Sequence, residues 1–284
     1  MKKYFFFVTL FVAACSYTDS VAIRRQDISV DVDPWYEQTW ELGASDSFQP
    51  VDNNTWWAGG TIKIIKHGNT QIGWDSTDEG IDPTGSRSFK VTFDETSTCC
   101  GVQIFLPDAS TKLPQVIWHE QWIKYDSNWD MVSLDNCESS TIDYNGHKTI
   151  WWYTNEQSNW RHEFLVGMKG TDLLLTHGMS TRFTDTQIDE QSRVFDGQWH
   201  RWRFRLTRPQ IDELGWYTVW LDDQILHDWP EEALGGDGGP AYWGMEIPHF
   251  SSIQLSNNMR CPPPSPQSIW YGRTVVYLED PKWF

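Results

Sequence analysis

The chain has 284 residues, with 39 Asp and Glu against 22 Lys and Arg, and a net charge of -17. That balance excludes general nucleic-acid binding, which needs a basic footprint, and it favours solubility without selecting a fold. Tryptophan stands out at nineteen residues, so part of the surface is expected to be an aromatic platform. Sugars are one natural ligand for such a platform, because their C–H faces pack on indoles while hydroxyls bond to polar neighbours.

The opening "MKKYFFFVTLFVAACS" reads as a targeting segment. Lys2 and Lys3 precede an apolar run, Tyr4 to Ala14, that is too short to span a bilayer. "VAAC" is similar to a bacterial lipobox, which makes Cys15 the lipidated first residue of the mature chain. Cleavage after Ala22 is the alternative. The expected organisation is a signal peptide at 1–15, a tether at 16–34 and a single domain at 35–284. The expected location is an outer-membrane or cell-surface lipoprotein, otherwise a secreted protein. Any membrane contact is then through the lipid anchor.

Short β-type runs alternate with turn signals from Trp35 onward. Predicted strands cover 87–93, 101–106, 115–125, 147–154, 161–168, 172–178, 199–206, 216–226, 250–255 and 268–278. Breakers such as "DPTG", "LPDAS" and "GGDGGP" separate them. Residues 208–215 are expected to form the loop of an antiparallel hairpin joining 199–206 to 216–222. Cys99, Cys100, Cys137 and Cys261 permit two disulfides in three connectivities. Because adjacent cysteines pair poorly, Cys99 and Cys100 are each expected to reach Cys137 or Cys261. No Cys-x-x-Cys spacing supports a zinc site.

Period-two reading divides these strands. In "GQWHRWRFRL", His200, Trp202, Phe204 and Leu206 take a core parity, against Trp199, Arg201, Arg203 and Arg205. On 117–125, Ile117, His119, Gln121, Ile123 and Tyr125 oppose Trp118, Glu120, Trp122 and Lys124. On the third strand, Tyr217, Val219 and Leu221 oppose Trp216, Thr218, Trp220 and Asp222. Glu and Lys cannot sit in a core without paired charges, so tryptophan with charge is expected away from the core. Trp151 and Tyr153 share a face that lines either a cleft or the core.

The segments "GSRSFKVTF", "EQWIKYDSNWD", "DGQWHRWRFRL", "GWYTVWLDDQIL" and "IWYGRTVVYL" occur in an order that resembles concanavalin A-like jelly-roll proteins. The polysaccharide-lyase-like (alginate or glucuronan lyase type) and laminin-G-like members are the most similar. The resemblance implies an all-β sandwich of two antiparallel sheets, one concave, with glycan bound along the concave face. The Glu-x-Asp-x-Glu strand of laminarinase-type hydrolases is absent. Of the Arg-(Ser/Thr)-Glu-x-Arg strand of alginate lyases, Arg87–Lys90 keeps the opening Arg-Ser, and His119–Gln121 carries Gln-x-His in reverse order.

A uronate lyase needs a cation to neutralise the carboxylate, a base for the α-proton and an acid for the leaving oxygen. Arg203 is the candidate for the first task, with Glu120 and Lys124 for proton transfer. Trp118, Trp122, Trp199, Arg201, Arg205, Trp216 and Trp220 are candidates for holding substrate, which is expected to be an anionic polysaccharide. The same arginines would serve as a solvated face on a convex sheet, or stack on the tryptophans with no ligand. A non-catalytic glycan-binding protein and a hydrolase with an atypical carboxylate arrangement are the alternatives. His119, Gln121 and His200 are expected to be structural. No cofactor is identified, structural calcium follows only by fold analogy, and a monomer is expected.

Overall fold

The computed structural model describes residues 32–41, 49–52, 56–57, 61–66, 70–94, 96, 100–130, 145–154, 161–169, 172–179, 182–188, 194–207, 216–230, 249–256 and 262–283. They belong to one compact unit, Val32–Phe284. The leader, Cys15, Cys99, Cys137 and Cys261 lie outside the described residues, and Cys100 is described only as strand backbone.

The strands in chain order begin with β1 (Tyr36–Gln38), β2 (Gln49–Pro50), β3 (Trp56–Trp57), β4 (Ile62–Lys66), β5 (Gln71–Asp75) and β6 (Ser88–Phe93). They continue through β7 (Cys100–Phe105), β8 (Val116–Tyr125), β9 (Asn145–Thr154), β10 (Arg161–Lys169), β11 (Asp172–Met179) and β12 (Arg182–Ile188). Last come β13 (Trp199–Thr207), β14 (Trp216–Leu221), β15 (Gln224–Pro230), β16 (Phe250–Leu255) and β17 (Gln267–Tyr277). A front sheet runs β15-β14-β13-β8-β17-β6-β5-β2, with β1 also on β17, and a back sheet runs β12-β11-β10-β9-β16-β7-β4-β3. Every pairing is antiparallel, and the architecture is the expected jelly-roll sandwich.

The core lies between the sheets. Ile117, Ile123, Tyr125, Trp202, Phe204, Leu206, Val219, Leu221, Ile269 and Tyr271 face it from the front sheet. Ile150, Trp152, Ile253 and Leu255 meet them from the back sheet. Polar cross-links bridge the layers inside it. Trp152 Nε1 donates to His119 Nδ1 at 3.1 Å, and Tyr271 Oη donates to the Thr149 carbonyl at 3.0 Å. A buried donor or acceptor needs such a partner.

Two local features depart from the sequence reading. The predicted strand 216–226 is two strands, because Asp222 and Asp223 form a tight turn at φ 47° and 68°. Two left-handed residues suit a two-residue hairpin, and Asn-Gly or Asp-Gly is its usual signal. Here two aspartates accept the conformation while their carboxylates are held by β13. Asp222 accepts from His200 and from the Arg201 N–H, and Asp223 accepts from Arg203. The second feature is a bulge in β17 between Tyr271 and Thr274. Gly272 is required there, since a Cβ would meet Asp82 Oδ2 at 2.4 Å. The extra residue breaks the simple alternation of β17, and the Arg273 side chain joins the acidic groups on the far side of the sheet from the core.

Candidate functional site

The outer face of the front sheet gathers the residues singled out by parity. Strand β13 lies between β8 and β14, with Arg203 opposite Glu120 on one side and Trp220 on the other. Arg201 stands opposite Trp122, and Arg205 opposite Trp118. The expectation that tryptophan and charge sit away from the core therefore describes β8 and β13. The openness implied for that face does not hold. Glu120 and Arg203 side chains are 7% and 9% exposed, because charge pairing and overlying chain cover them.

A ladder of alternating charge crosses this face. Arg203 Nε donates to Glu120 Oε2 at 2.7 Å, and its Nη1 donates to Asp223 Oδ1 at 2.7 Å. Asp223 also accepts from Arg201. On the other side, Arg273 lies 3.8 Å from Glu120 Oε1 and donates from Nε to Glu37 Oε1 at 2.6 Å. The order is Glu37, Arg273, Glu120, Arg203, Asp223, Arg201, with three acids matching three bases. Its centre is buried, while Glu37 and Asp223 are 38% exposed. A buried pair survives only when its members stay paired.

Aromatic rings roof the ladder. Trp118 and Trp220 stack at 6.1 Å, and Trp283 meets both edge-on at 5.4 and 5.9 Å. The guanidinium of Arg203 lies 4.8 Å from the Trp283 ring, Arg201 5.8 Å from Trp122, and Arg205 5.3 Å from Trp118. Tyr277 packs against Trp283 at 6.2 Å. Burial first, and the nearby Glu120 carboxylate second, push the Tyr277 phenol above its ordinary range.

Lys124 is not paired with Glu120, although both share this face. Its ammonium donates to the Glu79 carbonyl at 3.2 Å, lies 3.5 Å from the Glu79 carboxylate, and sits 4.6 Å from the Trp270 ring. The separation follows from register: Lys124 stands opposite Trp199 and Trp270, at the far end from Arg203. Trp199 is partly buried, while Trp216 is described only as backbone opposite Thr207. Trp151 and Tyr153 line neither the core nor this face. They alternate with core-facing Ile150 and Trp152 on β9, on the outside of the back sheet.

Histidines show what each environment permits. His119 is fully buried, and that burial lowers its pKa to about 3, leaving it neutral. Burial alone would lower His200 as well, but Asp222 at 2.7 Å and Asp196 at 3.1 Å raise it on balance. His200 therefore ties the start of β13 to the Asp222–Asp223 turn, and the two carboxylates favour its protonated form.

Sequence parity missed Glu37, Asp223, Arg273, Tyr277 and Trp283. Asp223 was hidden in a supposed strand, and Arg273 by the bulge. Tyr277 carried a usable signal, since it lies in a clear β-run; Glu37 and Trp283 arrive from remote segments with none. Among the described residues, no group of three His, Cys, Asp or Glu is placed to hold a metal ion.

No protein-family model matches the chain, and no curated protein does. Solved structures with a similar course of chain exist. A carbohydrate esterase from Shiga toxin-encoding bacteriophage phi24B is 10% identical, covering 88% of this chain and 100% of its own, with a TM-score of 0.48. The catalytic domain of an endo-1,3-β-glucanase (laminarinase) from Thermotoga petrophila is 12% identical, covering 88% and 98%, with a TM-score of 0.47. The binding domain of botulinum neurotoxin DC is 14% identical with a TM-score of 0.43, and this chain spans 84% of itself but half of that one.

Proposed function

We propose that this chain engages polysaccharide on the outer face of the front sheet, as an exported and lipid-anchored protein. One observation carries the reading: a charge ladder that is internally neutral and exposed at Glu37 and Asp223 runs beneath Trp118, Trp220 and Trp283, with Trp122 against Arg201. Carboxylates and guanidiniums fixed in this way accept and donate hydrogen bonds to sugar hydroxyls. Indoles supply the apolar surface for the sugar's C–H faces. Binding without cleavage is the reading the geometry supports best, because Arg203 already has Glu120 and Asp223 in its fork. A substrate carboxylate would have to displace Asp223, the more exposed of the two.

Elimination on a uronate is a second reading, favoured by Tyr277. A phenol held above its ordinary pKa stays protonated and can donate to a leaving glycosidic oxygen, while the Glu120 carboxylate accepts the α-proton. The electron pair of the broken C–H bond then forms the new double bond as the C–O bond breaks.

The test is incubation of the full chain with alginate, glucuronan, glycosaminoglycans and neutral laminarin. Retarded migration in gels containing a glycan, without products, is the expected result. A rise in the ultraviolet absorbance of unsaturated uronates selects elimination, and new reducing ends without that rise select hydrolysis. No retardation and no product with any glycan overturns the proposal.

A further inference from the structure

Arg201, Arg203 and Arg205 leave β13 on one face, yet their surroundings differ. Arg203 closes on Glu120 and Asp223, and Arg201 on Asp223. Arg205 is the exception: among the described residues it has no carboxylate partner, and its close contact is the Trp118 ring at 5.3 Å. Among the described residues its Nε–H is buried without an acceptor, and so is the hydroxyl of Thr207, the next residue on the same face. Of the described acids nearby, Glu120 on the adjacent strand β8 is diagonal to Arg205 and held by Arg203, and Asp228 on β15 is engaged by the Thr218 hydroxyl at 2.7 Å. Arg205 pairs with Thr218, and Thr218 with Asp228.

A partly buried guanidinium without a counter-ion carries a desolvation cost that an incoming anion offsets. Its planar fork presents two donors to two oxygens, and the indole beneath it fixes the plane of the fork. Resting on the polysaccharide reading above, we infer that Arg205 is the anion subsite of this face. It takes an oxyanion of the glycan, a carboxylate or a sulfate ester, with Trp118 as its positioning residue and the Thr207 hydroxyl as a further donor. Arg203, the central arginine, is instead the scaffold of the ladder.

The experiment uses the full chain and polymers matched in backbone: dextran sulfate against dextran, and alginate against carboxyl-reduced alginate. Affinities are measured at one low salt concentration for the wild type, Arg205→Met and Arg205→Lys. Methionine keeps an apolar stem on Trp118, and lysine keeps the charge but loses the fork. Thermal melting of each variant establishes that it is folded. Arg205→Met is expected to lose about tenfold in affinity for a charged polymer, the scale of a charged hydrogen bond, with the uncharged partner changed by less than about twofold. Arg205→Lys recovers part of the loss. A loss confined to the alginate pair assigns a carboxylate, and one confined to the dextran pair assigns a sulfate ester. Equal losses for charged and uncharged polymers, or none, overturn the subsite and leave the polysaccharide reading intact. Wild-type protein that binds none of these polymers, nor glucuronan, glycosaminoglycans or laminarin, overturns both.

Discussion

The two faces of the front sheet bury their central residues by opposite means. The inner face removes water with Phe204, Trp202 and Ile117, and it keeps its polar members neutral, as at His119 and Gln121. The outer face removes water with tryptophans as well, yet holds Glu120, Arg203 and Lys124 in ion pairs. Burial alone therefore does not separate core from site; the partners that the buried polar groups take do. A face that keeps charges dry must pair them, and such pairing also sets out hydrogen-bonding groups for a polar ligand.

The largest effect should come from breaking the inner face. Phe204 is completely buried against His119 and Trp152. Phe204→Ala should cost about 3–5 kcal/mol in urea unfolding, the range for large cavities in a core. Breaking the outer face comes next. Glu120→Gln leaves the Arg203 guanidinium short of its buried counter-charge and should cost about 3 kcal/mol. Adding Arg203→Met should recover part of that loss, and strictly additive costs in the double-mutant cycle would show that the pair is not coupled.

The histidines sharpen the comparison through pH. His200 is raised in the folded state, so its contribution is complete below the unfolded value of about 6.5 and disappears as pH rises through the folded value. The destabilisation caused by His200→Gln should shrink on going alkaline. His119 has the opposite sign. Its pKa of about 3 means the unfolded chain binds the proton first, so stability falls as pH drops below about 6.5. His119→Gln should flatten part of that acid slope in urea midpoints measured across pH. The smallest effect belongs to the exposed end of the outer face. Glu79 is 54% exposed where it meets Lys124, and Glu79→Gln should shift stability by less than about 1 kcal/mol.

Alternation made much of this legible in sequence. The parities of β8 and β13 follow from residue types alone, and the hairpin from β13 to β14 pairs as its spacing suggested. What remained hidden depends on distant register and on backbone irregularity. Nothing local reveals that Glu120 lies opposite Arg203, 83 residues away, rather than pairing with Lys124 on its own strand. The aspartates at 222 and 223 look like strand because their turn is stabilised by side chains of β13. Arg273 needs the bulge at Gly272, and that bulge exists because Asp82 approaches from another loop.

The central claim, that ligand binds the outer face of the front sheet, is tested most directly by comparing two tryptophans on opposite outsides of the sandwich. Trp122 lies beside Arg201 on the front sheet, and Trp151 beside Lys148 on the back. Affinity for whichever glycan retards the wild type should be measured for Trp122→Ala and Trp151→Ala, with melting curves as the control for folding. The account predicts a loss of about tenfold or more for Trp122→Ala and unchanged affinity for Trp151→Ala. A loss at Trp151 with none at Trp122 would place the ligand on the back sheet and contradict it.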